Sequence, residues 1–215
     1  NAQVSVPAKF LDAQNAPFVV VVSNTDDTES VDVEVTSPNG DMQAAVVQPG
    51  GLLTFPIAST YGLTGTGRFD AGVHIVASGP VAAFQFNPYS NVDVFSNDAS
   101  TLLPADAQGG SYRVVTMPHS NLGGGNVFPG YFVVVGADTS PVSVSITPTS
   151  TIAGGGEIPT ITAGTTYDFT VAPGEVMAFE SASGDLSGSL VESAGRVMVF
   201  SGHVAARPDT ECCSD

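Results

Sequence analysis

The side chains in this sequence best suited to chemistry are the oxygen donors between residues 24 and 29. This short stretch combines one amide with several carboxylates and hydroxyls, and hard oxygen ligands of this kind are what calcium prefers. The stretch predicts a calcium site that would rigidify the loop. The predicted ligands are Asn24, Asp26, Asp27 and Glu29. The alternative is that these side chains bond their own backbone and cap turns, as Asx residues commonly do in β-loops.

A second group of ligand-type side chains stands near the end of the sequence. It consists of His203, Cys212, Cys213 and Asp215. Adjacent cysteines have poor geometry for closing one tetrahedral metal site, so we do not favour a metal-dependent enzyme. In the other interpretation, His203 ends a buried strand and its ring is hydrogen-bonded. The sequence contains no hydrolase elbow, zinc-protease pair or phosphate-binding loop, and we expect no catalysis.

Cys212 and Cys213 are the only cysteines in the sequence, so they cannot join strands of the main body to one another. Three pairings are open. The two could bond each other in a strained ring, pair with cysteines beyond residue 215, or crosslink to another chain. We favour partners beyond residue 215, whose identity the sequence leaves unknown.

Charge excludes two classes of partner. Five basic residues stand against 21 acidic ones, which gives a formal net charge of −16. A phosphate backbone or an anionic membrane surface would repel such a chain, so nucleic-acid binding is excluded. No apolar run approaches the roughly 18 residues that a membrane helix needs, so we expect no membrane insertion. The many small polar residues are typical of a secreted β-protein, and we expect an extracellular or cell-surface location.

The elements that must position these residues have an apolar period of two. Residues 31–36 and 142–147 alternate strictly between aliphatic and polar side chains, which predicts half-buried strands. Residues 18–22 and 131–135 are continuous β-branched and aromatic runs, which predict more deeply buried strands. A helical period of 3.6 is nowhere sustained. The sequence therefore predicts an all-β protein.

The same order of elements occurs twice along the chain. The buried run, the alternating strand, a Pro-Gly turn followed by a strand ending in Phe, and a last Val-rich strand appear in each half. This order predicts two tandem β-sandwich lobes arising from an internal repeat. The predicted domains are residues 1–105 and 106–215, joined near Pro104–Gly110. Residues 2–7, ahead of the first repeat, either begin their own lobe or form a donated strand.

Several segments resemble one known family. Residues 76–88 and 95–104, the Gly-Asp-Leu-Ser-Gly-Ser run at 184–189, and residues 199–203 with the later cysteine pair are similar to the N-terminal domain of IgGFc-binding-protein-like sequences. Bacterial members of that family resemble secreted or cell-surface proteins. The resemblance brings no catalytic residues and implies an extracellular binding or adhesive module.

We therefore expect a recognition or adhesion module whose partner is a protein or glycan ligand at a surface. The alternative is a structural subunit of an extracellular filament or sheath, whose partners are copies of itself joined through β-edges or lobe-to-lobe contacts. Calcium is the only cofactor that the sequence suggests.

Overall fold

The computed structural model describes residues 18–89, 97–121 and 127–206. Three sequence predictions therefore lie outside the described residues: the donated strand at residues 2–7, the pairing of Cys212 and Cys213, and the contribution of Asp215 to a metal site.

The described chain is all-β, as the sequence predicted, with two short 3-10 turns at Ser59–Tyr61 and Ala105–Ala107. The strands are β1 (Phe18–Asn24), β2 (Val31–Thr36), β3 (Met42–Val47), β4 (Leu52–Ile57), β5 (Gly67–Asp70), β6 (His74–Ala77), β7 (Val81–Asn87), β8 (Asp98–Leu102), β9 (Ser111–Arg113), β10 (Ser120–Asn121), β11 (Val127–Phe128), β12 (Gly130–Gly136), β13 (Val142–Thr147), β14 (Tyr167–Val171), β15 (Glu175–Glu180), β16 (Leu190–Ser193) and β17 (Val197–His203).

The chain forms two compact units, here called the N-terminal and the C-terminal unit. The described N-terminal unit comprises residues 18–62, 71–89 and 97–103, and its sheets have the orders β4-β1-β7-β8 and β3-β2-β6. Inward-facing residues of both sheets form its core because alternate residues of a strand point to the same face. The core consists of Val20, Val22, Val31, Val33, Val35, Val47, Phe55 and Ile57.

The C-terminal unit comprises residues 63–70 and, from 104 onwards, the rest of the described chain. Its large sheets have the orders β17-β12-β15-β5 and β14-β13-β16-β9, and β10 pairs with β11. Phe179 lies at the centre of its core, with ring centroids 5.0 Å from Phe132 and 5.5 Å from Phe169. Such aromatic pairs contribute about 0.5–1.5 kcal/mol each beyond their burial.

Strand β5 departs from the predicted domain bounds, which place residues 63–70 in the first lobe. In the structure β5 pairs antiparallel with β15, with Val176 opposite Phe69 and Ala178 opposite Gly67. The segment belongs to the C-terminal unit for this reason. Its sequence contains no signal for that pairing because the partner strand lies more than 100 residues away along the chain.

The two units share a strand order. In the N-terminal unit the order β4-β1-β7 faces β3-β2-β6, and in the C-terminal unit β15-β12-β17 and β14-β13-β16 take the corresponding places. Core positions correspond as well, since Val20 pairs with Phe55 in one unit and Phe132 pairs with Phe179 in the other. Two β-sandwich lobes are thus confirmed, whereas their origin in an internal repeat stays a prediction.

The units differ in their added strands. In the N-terminal unit β8 covers the outer edge of β7, and in the C-terminal unit β5 covers the outer edge of β15. Each of these two sheets therefore ends in its added strand on one side, and in β4 or β17 on the other.

Candidate functional site

An open groove of about 490 Å³ lies on the outer face of the sheet formed by β14, β13 and β16 in the C-terminal unit. Six of its nine lining residues carry a hydroxyl or a carboxylate. The lining residues are Ser143, Val144, Ser145, Asp168, Phe169, Thr170, Glu192, Ser193 and Ala194.

Strand alternation places these polar side chains outward. On β13, Val144 and Ile146 are buried in the core while Ser143 is exposed, because successive side chains point to opposite faces. The strand register then aligns the polar residues. Ser145 lies opposite Asp168 on one side and opposite Glu192 on the other. The result is a row of carboxylate, hydroxyl and carboxylate across three neighbouring strands.

The groove favours ligands that donate hydrogen bonds. Asp168 and Glu192 are exposed, and the described lining includes no lysine, arginine or histidine. The chain as a whole carries a formal charge of −16, so the surrounding field adds to that of the two carboxylates. Hydroxyls of Ser143 and Thr170 lie opposite each other one step along the strands. The arrangement suits ammonium or guanidinium groups, because their N–H groups can donate hydrogen bonds to the two carboxylates.

The predicted calcium loop holds itself together through its own hydrogen bonds. Asn24 is only 2 % exposed. Its Nδ2 donates to the carbonyl oxygens of Glu29 at 2.7 Å and Val47 at 3.1 Å, and its Oδ1 accepts from the Asp26 N–H at 2.9 Å. The side chain of Asn24 thus ties the loop to β3.

Asp26 caps the same loop. Its Oδ1 accepts from the N–H groups of Thr28 and Glu29 and from the Thr28 hydroxyl. The Glu29 N–H, the Thr28 hydroxyl and the Thr28 N–H together lower the pKa of Asp26. These bonds are the turn-capping alternative that the sequence left open.

No hydrogen bond among the described residues brings the four predicted calcium ligands together at one point. Asp27 and Glu29 are exposed, and Glu29 takes part in the loop through its backbone. Within the described ranges no group of three or more His, Cys, Asp or Glu side chains is arranged to hold a metal ion. Calcium binding by the loop stays a prediction.

The Gly-Asp-Leu-Ser-Gly-Ser run at residues 184–189 has a structural role. Asp185 Oδ1 accepts from the Thr116 hydroxyl at 2.6 Å and from the Ser187 N–H at 2.8 Å. Desolvation would raise the pKa of Asp185, but these bonds outweigh it and lower the pKa. Leu186 is fully buried in the core. The run therefore fastens the loop before β16 to the segment after β9.

His203 ends β17 with both ring nitrogens engaged, as the second interpretation of that residue predicts. Its Nε2 donates to the Pro118 carbonyl at 3.0 Å, and its Nδ1 accepts from the Ala205 N–H at 3.1 Å. Burial is the main cause that lowers the pKa of His203. The ring is neutral in this arrangement because the Nδ1 atom must accept a hydrogen bond.

A β-sandwich presents side chains from fixed strands, and its function depends on the sites that those side chains form. The family model described as IgGFc binding protein matches residues 98–215, more than half of the chain. The chain belongs to this family, and the resemblance predicted from the sequence is confirmed. The family consists of extracellular, non-catalytic binding domains.

No curated protein and no solved structure matches the chain. In the part of the chain that the structure describes, no helix is long and apolar enough to cross a bilayer.

Sequence reasoning missed the groove. The alternation of residues 142–147 predicts a strand, and its serines indicate only which face of that strand is exposed. Asp168 and Glu192 were not singled out, because nothing local distinguishes an exposed acidic residue on one strand from any other. The alternation of each strand indicates which polar residues face outward. Only the register between strands shows which of those residues lie side by side.

Proposed function

We propose that this chain is an extracellular recognition module that binds a protein ligand through a lysine- or arginine-containing segment seated in the groove. The observation that carries the proposal is the row of Asp168, Ser145 and Glu192 across three adjacent strands. Each carboxylate can receive one cationic side chain, and the hydroxyls between them can bond the backbone of the ligand.

A basic protein segment fits the groove better than a glycan does. Sugar rings are commonly held against aromatic faces, and the aromatic ring among the lining residues, Phe169, is 9 % exposed and packs in the core against Phe179. The acidic character of the whole chain would also speed the approach of a basic partner, with a rate that falls as salt is added.

The test is a titration of the ¹⁵N-labelled chain with the blocked peptide Gly-Ser-Arg-Gly-Lys-Ser-Gly, followed by NMR. We expect shift changes concentrated at residues 143–145, 168–170 and 192–194. A matching peptide with glutamine in place of arginine and lysine should leave these signals unchanged.

The double variant Asp168→Asn with Glu192→Gln should weaken binding by about tenfold, because two exposed ion pairs together are worth roughly 1 kcal/mol or more. Asp32→Asn with Glu34→Gln is the matched control, since it removes the same formal charge from the exposed face of β2 in the N-terminal unit. Equal weakening in both double variants would show that the peptide responds to net charge alone and would overturn the proposal.

A further inference from the structure

Within the described residues, the outer edge of β17 lacks the strand that covers its counterpart. In the N-terminal unit β8 pairs antiparallel with β7, with Ser100 opposite Gln85 and Leu102 opposite Ala83. β17 takes the place of β7 in the C-terminal unit and pairs with β12 on one side. Among the described residues no strand lies on its other side. As far as the described ranges extend, one sheet position is thus filled in one unit and open in the other.

The hydrogen-bond phase shows which backbone groups face outward. The Val204 N–H donates to the Pro129 carbonyl, and the Ala137 N–H donates to the Arg196 carbonyl. The backbone N–H and C=O groups of even-numbered residues in β17 therefore bond β12, since alternate residues of an antiparallel strand bond to opposite sides. The N–H and C=O groups of Val199 and Ser201 point away from the sheet.

The open stretch has defined ends. At one end Val197 is engaged, because its N–H donates to the Gly109 carbonyl and its own carbonyl accepts from the Tyr112 hydroxyl at 2.6 Å. At the other end the ring of His203 is bonded to Pro118. Between them two N–H groups and two carbonyls are presented along one edge, which is enough to pair a short strand.

We propose that β17 binds an extended segment of another polypeptide chain by antiparallel strand addition. This surface is separate from the groove, so the inference does not depend on the proposed function. The chemistry of the partner follows from β8, whose register on β7 can be transferred to β17. It places an aspartate opposite His203, a small residue opposite Gly202 and an aliphatic residue opposite Val199, with hydroxyl residues between them.

Space near Gly202 restricts the partner further. A Cβ built on Gly202 would lie 2.7 Å from the Tyr131 hydroxyl, so the Tyr131 ring covers this part of the edge strand. A bulky partner side chain opposite Gly202 would have to displace that ring. The alanine of β8 at the corresponding place is small enough to lie beside it.

The probe is the blocked peptide with the sequence of residues 97–103, Asn-Asp-Ala-Ser-Thr-Leu-Leu, added to the 215-residue chain. Amide hydrogen exchange at Val199 and Ser201 is the readout. In the free chain both amides should exchange fast, and saturating peptide should slow them at least about tenfold. Slow exchange in the free chain would mean that the edge is already covered, and it would overturn the proposal.

Two methylated peptides provide the matched control. The Asn24 N–H donates to the Gly51 carbonyl, so odd-numbered residues of β1 bond β7 and odd-numbered residues of β7 bond β8. In this register the N–H of Ser100 points towards β7 and that of Thr101 points away. N-methylation at the serine should abolish the protection, whereas N-methylation at the threonine should preserve it. Equal behaviour of the two peptides, or no protection by either or by the parent peptide, would contradict strand addition.

The variant Ser201→Pro tests the same edge from the protein side. It removes an N–H that faces away from β12, so the internal ladder is kept, as is usual for proline on edge strands. Peptide protection at Val199 should be lost. If this variant does not fold, the methylated peptides still decide the question.

Discussion

Glu180 and Pro56 occupy corresponding outer-edge positions in the two units, and only Glu180 has an N–H to donate. The Glu180 N–H bonds the Thr66 hydroxyl at 2.9 Å, which helps to hold the segment that contains β5 along β15. At the same place on β4, proline has no N–H, and its carbonyl accepts from Gln43 Nε2 at 2.9 Å. Edge prolines of this kind discourage strand pairing.

Pro56→Thr should increase self-association, because it restores an outward N–H on an exposed terminal strand. Leu52 on the same strand is 63 % exposed and would add apolar contact. Sedimentation velocity over a concentration series measures the effect. Pro159→Thr, at an exposed loop position, is the control. If Pro56→Thr associates no more than this control does, Pro56 does not protect the edge.

Glu180→Gln should stabilise the chain at neutral pH. Burial raises the pKa of Glu180 above its ordinary value of 4.5, although a hydrogen bond from Gly65 and the charge of His119 act in the other direction. The folded state therefore holds the proton more tightly than the unfolded state does. The contribution of Glu180 to wild-type stability is therefore greatest below pH 4.5, falls as pH rises through the folded pKa, and is level above it.

Glutamine keeps the acceptor for the Gly65 N–H, which lies 3.1 Å from Glu180 Oε1, and removes the charge. Thermal melts at pH 4 and pH 7 should show a higher melting temperature for the variant at pH 7 and a smaller difference at pH 4. Glu157→Gln, at an exposed position, should show no such pattern. A variant with the wild-type pH profile would contradict this account of Glu180.

His203 should make the C-terminal unit less stable in mild acid. Its lowered pKa means that the folded state binds the proton less tightly than the unfolded state does. The contribution of His203 to stability is therefore present above the ordinary pKa of 6.5 and is lost as pH falls below it. A protonated Nδ1 cannot accept from the Ala205 N–H, so protonation of His203 breaks the hydrogen bond between these two residues.

Melting temperatures between pH 7.5 and pH 5.5 measure this effect. His203→Gln should lose part of the wild-type decrease, whereas His74→Gln on the exposed face of β6 should keep it. The two groups near His203 that act on its charge are His119, which disfavours protonation, and Asp185, which favours it. Identical pH profiles of the melting temperature for both variants would show that His203 does not cause the loss of stability in mild acid.

Asn24→Ala should destabilise the N-terminal unit by about 1–3 kcal/mol, because it leaves the Glu29 and Val47 carbonyls without their donor. Denaturant unfolding measures the loss. Thr25→Ala, on the exposed neighbour, should cost less. A loss no larger than that of Thr25→Ala would mean that the Asn24 side chain does not hold the loop.

The predicted calcium site has its own test in the same loop. Bound calcium would raise the free energy of unfolding by about 2.7 kcal/mol at a hundredfold excess over its dissociation constant. Melting temperatures in chelator and in millimolar calcium should then differ for the wild type and not for Asp27→Asn with Glu29→Gln. Equal melting temperatures of the wild type in chelator and in calcium would contradict calcium binding by this loop.

Local patterns were sufficient for the fold class. Residues 31–36 and 142–147 alternate because one face of each strand is in the core, and this period is written into consecutive residues. Turn residues such as Gly50 and Gly174, which both have a positive φ, mark the reversals for the same local reason. The family resemblance likewise depends on runs of neighbouring residues.

The groove, the placement of β5 and the open edge of β17 depend on pairings between distant segments. Ser145 meets Asp168 and Glu192 only through the register of three strands, and residues 67–70 join a sheet whose next strand begins at Glu175. A strand's own sequence states which side chains share a face but not which strand lies beside it. That choice minimises the free energy of the whole folded chain, so it appears only in the tertiary structure.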